Sequence, residues 1–162
     1  MRILIDGYNL LHAAGVFGEE RGAGGFEASR RALLDALAHL LGDAREQATV
    51  VFDAASAPPG LPARMVHDGI QVVFARDYPS ADALIEDMIE DHNAPTSLTV
   101  VSADNRVIAA ARRRRAKAVP SGEWFAELRT AARQARASQA EAKPPPPGSD
   151  VEVERWLREF GF

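Results

Sequence analysis

Four aspartates stand where this sequence could do chemistry: Asp6, Asp53, Asp82 and Asp104. Three of them close short runs of apolar, mostly β-branched residues. Ile3-Leu4-Ile5 ends in Asp6-Gly7, Thr49-Val50-Val51-Phe52 ends in Asp53, and Leu98-Thr99-Val100-Val101-Ser102-Ala103 ends in Asp104. Runs without alternation read as strands buried on both faces. A carboxylate that ends such a strand lies at the carboxyl edge of the sheet, where open α/β folds build their sites. In a parallel sheet these ends share one edge, so carboxylates far apart in sequence converge. The fourth acid, Asp82, opens a helix whose apolar arc is Leu84, Ile85, Met88 and Ile89. At about 100° per residue it lies roughly 20° from Ile89, on the border of the buried face. Glu86 follows one turn on, while Asp87, Glu90 and Asp91 point further round to solvent.

Carboxylates are the ligands that Mg²⁺ and Mn²⁺ prefer, and a hard divalent ion suits this set better than zinc. Two such ions on one carboxylate cluster are suited to in-line hydrolysis of a phosphodiester. Asn9 and Asn105 are neutral polar neighbours of the cluster. Each acid also has a plainer use. Asp104 can cap its helix, Asp53 can start the turn over Ala54 to Gly60, and Asp82 can complement a helix dipole. Asp6 is hardest to assign to such a use, because Asp-Gly-Tyr-Asn closes a buried strand.

The elements that must position these residues follow from periodicity. Asn9 to Ala14 reads as a short helical turn, and Gly15 to Gly25 as a glycine-rich, charged loop. Glu27 to Leu41 is a helix with Leu33, Leu34, Leu37, Leu40 and Leu41 on one face, stopped by Gly42. Strands are expected at Thr49–Phe52, Ile70–Phe74, Leu98–Val101 and Lys117–Val119. Between the first two of these, Ala54 to Asp68 contains Pro58-Pro59-Gly60 and Pro62 and offers little helix, although a parallel crossover usually needs a dozen residues or more. Ser80 caps a helix over Ala81–His92, Asp104 opens one running to about Arg114, and Ser121 caps a last one running to about Ala137. The alternation predicts an α/β sandwich with a mostly parallel central sheet.

The bulk numbers narrow the function classes. The 162 residues suit one domain with a sizeable core. Cysteine is absent, so there is neither a disulfide framework nor a thiolate metal site. The apolar run before Asp6 is far too short for a signal-peptide core, and no window approaches a membrane span. A cytoplasmic protein is the expectation. The net charge of −4 argues against binding nucleic acid through bulk positive charge. It leaves room for an enzyme that handles nucleic acid through bound cations.

Four blocks fall in order and at similar spacing to those of the YacP-type NYN-domain proteins, relatives of the PIN-like nucleases. They are Ile5-Asp6-Gly7-Tyr8-Asn9-Leu10-Leu11, Val51-Phe52-Asp53-Ala54, Gly69 to Phe74 with Ser80-Ala81-Asp82-Ala83-Leu84-Ile85-Glu86, and Val101-Ser102-Ala103-Asp104-Asn105. The resemblance covers roughly residues 1 to 135. It implies a three-layer α/β/α PIN-like (Rossmann-like) fold and a Mg²⁺- or Mn²⁺-dependent endoribonuclease site, with Asp6, Asn9, Asp53, Asp82 and Asp104 at the matching positions. On this expectation Asp6 and Asp104 bind metal and Asp82 completes the metal site or orients water. Asp53 acts beside or behind them, and Asn9 holds the scissile phosphate or a water. The glycine-rich Gly15–Gly25 stretch departs from the family pattern. RNA is the expected partner, with the ribosome as one setting in which cleavage could occur. Another class, an RNA-binding or scaffolding module that cleaves little, is motivated by the acidic net charge and by the tail. A phosphoryl-accepting receiver domain, suggested by Asp53 before a Pro-rich turn, is disfavoured, since Asp6 is followed by Gly7 rather than a second acid and Val119 rather than lysine stands just before Pro120.

Among the cations, Arg21, Arg76 and Arg106 lie on carboxyl-edge loops or a first helical turn and are the candidates for phosphate contact. Arg112 to Arg115 and Lys117 also suggest an RNA-binding patch, but the arginines fall roughly 12–16 Å along their helix from Asp104, toward the opposite edge, where they complement the helix C-terminus. The four histidines show no ligand spacing. The expected domains are residues 1–137 as the NYN/PIN-like unit, 138–150 as a Pro-rich linker and 151–162 as a short amphipathic helix. Val153, Trp156, Leu157 and Phe160 on that helix either pack on the domain's own surface or dock to a protein partner.

Overall fold

A computed structural model describes residues 1–15, 23–57, 59–142 and 158. The chain divides into two compact units, Met1–Arg129 and Thr130–Phe162. The first holds six strands: β1 Arg2–Asp6, β2 Ala48–Asp53, β3 Arg64–His67, β4 Ile70–Ala75, β5 Leu98–Val101 and β6 Lys117–Val119. They form one sheet in the order β3-β4-β2-β1-β5-β6, parallel except for β3. The helices are α1 Gly7–Ala14, α2 Ala23–Leu41, α3 Ala81–Glu90, α4 Asn105–Arg113 and α5 Ser121–Ala142. Of the second unit, only the end of α5 and Arg158 are described. The expected tail helix and most of the expected linker lie outside the described residues. None of the described helices is long and apolar enough to cross a membrane.

Strand residues alternate between two cores, which makes this a three-layer α/β/α arrangement. Ile5, Val50, Phe52, Val72 and Phe74 pack with Leu10 and Leu11 of α1 and with Leu33, Leu34 and Leu37 of α2. Leu4, Val51, Val73 and Val100 pack with Leu84, Ile85 and Ile89 of α3 and with Val107, Ala110 and Ala111 of α4. Both faces of the parallel strands are therefore apolar, which is why the sequence shows runs rather than alternation. Arg30 is buried on α2 with its guanidinium 5.1 Å from the Phe74 ring centroid and 5.9 Å from that of Phe52, a cation–π arrangement.

The short crossover between β2 and β4 is explained by a strand, β3, within the Pro-rich Ala54–Asp68 segment. β3 runs antiparallel along the outer side of β4, so the chain returns within the sheet and needs no helix on its face. The hairpin turns at Asp68 and Gly69, both with positive φ (46° and 88°). This is the Asp-Gly signal of a two-residue hairpin.

Other boundaries differ for physical reasons. α2 starts at Ala23 rather than Glu27, with Gly24 and Gly25 in its first turn. α5 continues past the expected Ala137 because Gln139 to Ala142 are good helix formers. Ser121 does not cap α5: its hydroxyl is buried without a hydrogen-bond partner. Ser80 does cap α3, accepting from the Ala83 amide at 3.2 Å.

Candidate active site

The ends of β1, β2, β4 and β5 share one edge, with Asp6 opposite Val51, Asp53 opposite Ala75 and Ile5 opposite Val101. Asp6 is only 2% exposed, and a carboxylate so buried must be hydrogen-bonded. One oxygen accepts from the Asn9 amide at 3.2 Å, which also makes Asp6 the N-cap of α1. The other accepts from Asn9 Nδ2 at 2.5 Å and from the Ser102 hydroxyl at 3.1 Å. Gly7 follows because nothing larger fits: a Cβ there would overlap the Phe52 ring.

Ser102, fully buried and immediately after β5, is the hub of the edge. Its hydroxyl donates to Asp6 and accepts from the Asp104 backbone N–H at 3.1 Å. Asn9 Nδ2 lies 3.5 Å from the same oxygen. Asp104 caps α4 through the Arg106 amide at 2.8 Å. Asp82, in the first turn of α3, brings its carboxyl within reach of those of both Asp6 and Asp104. Burial first, and then the charges of Asp6 and Asp104, push its pKa up to about 6. Asp82 and Ser102 thus link Asp6 to Asp104, and three of the four expected carboxylates meet.

The fourth has another task in this arrangement. Asp53 Oδ1 accepts from the Ala81 backbone N–H at 2.7 Å, tying the end of β2 to the first residue of α3 and so setting where Asp82 sits. It makes no cap for the 3₁₀ turn Ala54–Ser56 that follows it.

Of the three arginines expected at the edge, Arg106 forks onto Glu86, with Nε 2.7 Å and Nη2 2.9 Å from its two oxygens. It also feels the charges of Asp82 and Asp104. Arg76 is exposed in the turn after β4, and Arg21 lies outside the described residues. Tyr8, 43% exposed, stacks parallel to Phe26 with centroids 6.0 Å apart and meets His12 edge-on at 4.6 Å.

Sequence spacing hid one further group. His67 Nε2 lies 2.6 Å from Asp35 on α2 and 4.0 Å from Asp68, so a histidine without ligand spacing acquires two carboxylates through the fold. The three could together hold a cation. They sit at the amino edge, where β3 turns into β4, on the far side of the sheet from Asp6. Their evident effect is to fasten the hairpin to α2. Ser102 was also missed; its only sequence signal is its place between a strand end and Asp104.

A family model described as the YacP-like NYN domain matches residues 3–156. The chain is similar in fold to two crystal structures of Rae1 (YacP) from Bacillus subtilis, one of them of a mutant. The mutant is 23% identical with a TM-score of 0.67, over 90% of this chain and 87% of that one. The other is 24% identical with a TM-score of 0.65, over 99% and 92%. None of the curated proteins matches the chain. The matched span takes in Asp6, Ser102 and every carboxylate of the edge, and on that match the chain belongs to the YacP-like NYN domain family, whose character is nuclease-like and RNA-related.

Proposed function

We propose that this protein is a cytoplasmic endoribonuclease that hydrolyses RNA phosphodiester bonds with Mg²⁺ or Mn²⁺ held at the carboxyl edge. The observation that carries the proposal is the meeting of Asp6, Asp82 and Asp104, from two strand ends and a helix start, around a carboxyl pushed up to about 6. The donor set fits a hard divalent cation: it is all oxygen, and its mutual repulsion is what a cation relieves. Asp6, Asp82 and Asp104 would hold the ion. When bound, it supplies Lewis acidity toward the phosphate and the charge that a carboxylate edge lacks.

The chain's own residues do the rest. Asn9 and Ser102 fix both oxygens of Asp6, so its orientation is set before substrate arrives. Asp53 positions Asp82 through the Ala81 amide. Arg106 contacts phosphate only after exchanging Glu86 for it, a swap between two oxyanions of the same fork geometry. A second reading, an RNA-binding module of the same fold that cleaves little, is motivated by the net charge of −4.

The test is cleavage of a mixed RNA pool with Mn²⁺ or Mg²⁺ and with chelator, comparing wild type and Asp6→Asn. Metal-dependent cutting that the variant loses supports the nuclease. RNA binding without cutting by either protein, together with no metal binding by calorimetry, supports the module.

A further inference from the structure

α4 joins two regions of opposite charge. At its start are Asp104 and, beside it, Asp82. At its end Arg112, Arg113 and Arg115 are exposed, and exposed Lys117 opens β6 at the amino edge, opposite Thr99. Arg114, between them, is committed inward: Nη2 donates to the His92 carbonyl at 3.1 Å, and Nε lies 3.8 Å from Glu90. Among the described residues, no carboxylate forms an ion pair with Arg112, Arg113, Arg115 or Lys117. Arg115 holds φ at +60°, a conformation in which glycine or asparagine is the less strained occupant. One cation in the last turn would satisfy the helix dipole. Four exposed cations in six positions exceed that need. They also stand out on a chain of net charge −4, whose carboxylate edge by itself repels a polyanion.

We propose that Arg112, Arg113, Arg115 and Lys117 form a phosphate-backbone site for RNA, separate from the carboxylates, at the far end of α4 and roughly 12 Å or more from Asp104. Guanidinium forks engage phosphate oxygens without reading sequence. The site therefore anchors a strand while a different segment of it lies at the opposite edge. That the polyanion is RNA rests on the nuclease reading above. A strand too short to reach both ends gains nothing from the patch.

The experiment measures binding of a long single-stranded RNA and of a trinucleotide to the full chain in chelator, by anisotropy across about 50 to 200 mM salt. Each single-strand phosphate contact contributes about 0.7 to the slope of log K against log salt. R112A/R113A/R115A/K117A should flatten the slope for the long RNA by about 3 and weaken its binding more than tenfold at the lowest salt. The trinucleotide should be unaffected. Where wild type cuts RNA, the loss should fall on KM rather than kcat. Arg113→Ala and Lys117→Ala singly should each flatten the slope by about 0.7, which keeps the test available if the fourfold variant folds poorly. R112K/R113K/R115K, which keeps the charge, should retain most of the slope. An unchanged slope, or equal weakening of the trinucleotide, overturns the proposal. So does capture of an acidic polypeptide by the patch with RNA binding unmoved, which would assign it to a protein partner. A flattened slope in a protein that never cuts RNA would leave the patch standing and remove the nuclease reading; cutting with an unmoved slope would do the reverse.

Discussion

Ser102 carries no charge, yet two of the three meeting carboxylates depend on it. Ser102→Ala would leave Asp6 Oδ2 with Asn9 as its remaining hydrogen-bond donor in this network and leave the Asp104 amide without its acceptor. A loss of about 1–3 kcal/mol is expected, read as a shift of the denaturant midpoint in chelator. Asp82 gives a prediction with a sign. Its pKa is raised in the folded chain, so the folded state binds more protons than the unfolded one between about pH 4 and 6. Stability from this residue is fully present below that window and is lost as pH rises through it. In chelator, Asp82→Asn should therefore melt higher than wild type above about pH 6, and the gap should close toward pH 4; a gap that widens on acidification would contradict the shift. The four aspartates were legible because each interrupts or follows an apolar pattern. Ser102 and the His67 pairings were not, because their meaning lies in what the sheet brings beside them.

Asp53 shows the same limit among the elements. From sequence it is one more acid at a strand end; in the fold it is the tether between β2 and α3. Asp53→Ala should cost about 1–3 kcal/mol and lower activity by displacing Asp82. Asp53→Asn, which keeps an acceptor oxygen, should recover much of the stability in thermal melts. Gly7 is an equally local constraint. Gly7→Ala would force the fully buried Phe52 ring to move, and overpacking of this kind costs about 1–3 kcal/mol, checked by denaturation in chelator. The long helices, the four apolar parallel strands and the Ser80 cap were readable because periodicity and caps are local signals. β3 was not, because a four-residue edge strand with one covered face has almost no pattern of its own. The family resemblance supplied the three-layer arrangement, which periodicity alone left at the level of an α/β sandwich.

For the molecule as a whole, the proposed ion should act as a ligand of the folded state only. At about 100 times its Kd, Mn²⁺ should stabilise the protein by about 2.7 kcal/mol, seen as a higher melting temperature that chelator reverses and that Asp6→Asn largely removes. One feature of the sheet reaches further. β1, the first strand to be synthesised, ends as an inner strand, paired with β2 beginning at Ala48 and with β5 beginning at Leu98. Such non-local pairing forms slowly, and on a growing chain it cannot form before its partners exist. Until Ser102 and Asp104 have emerged from the ribosome, Asp6 has neither its hydroxyl partner nor the acids that complete its edge. Whatever chemistry the edge performs is therefore withheld until the last of its residues has been synthesised and β5 has paired with β1.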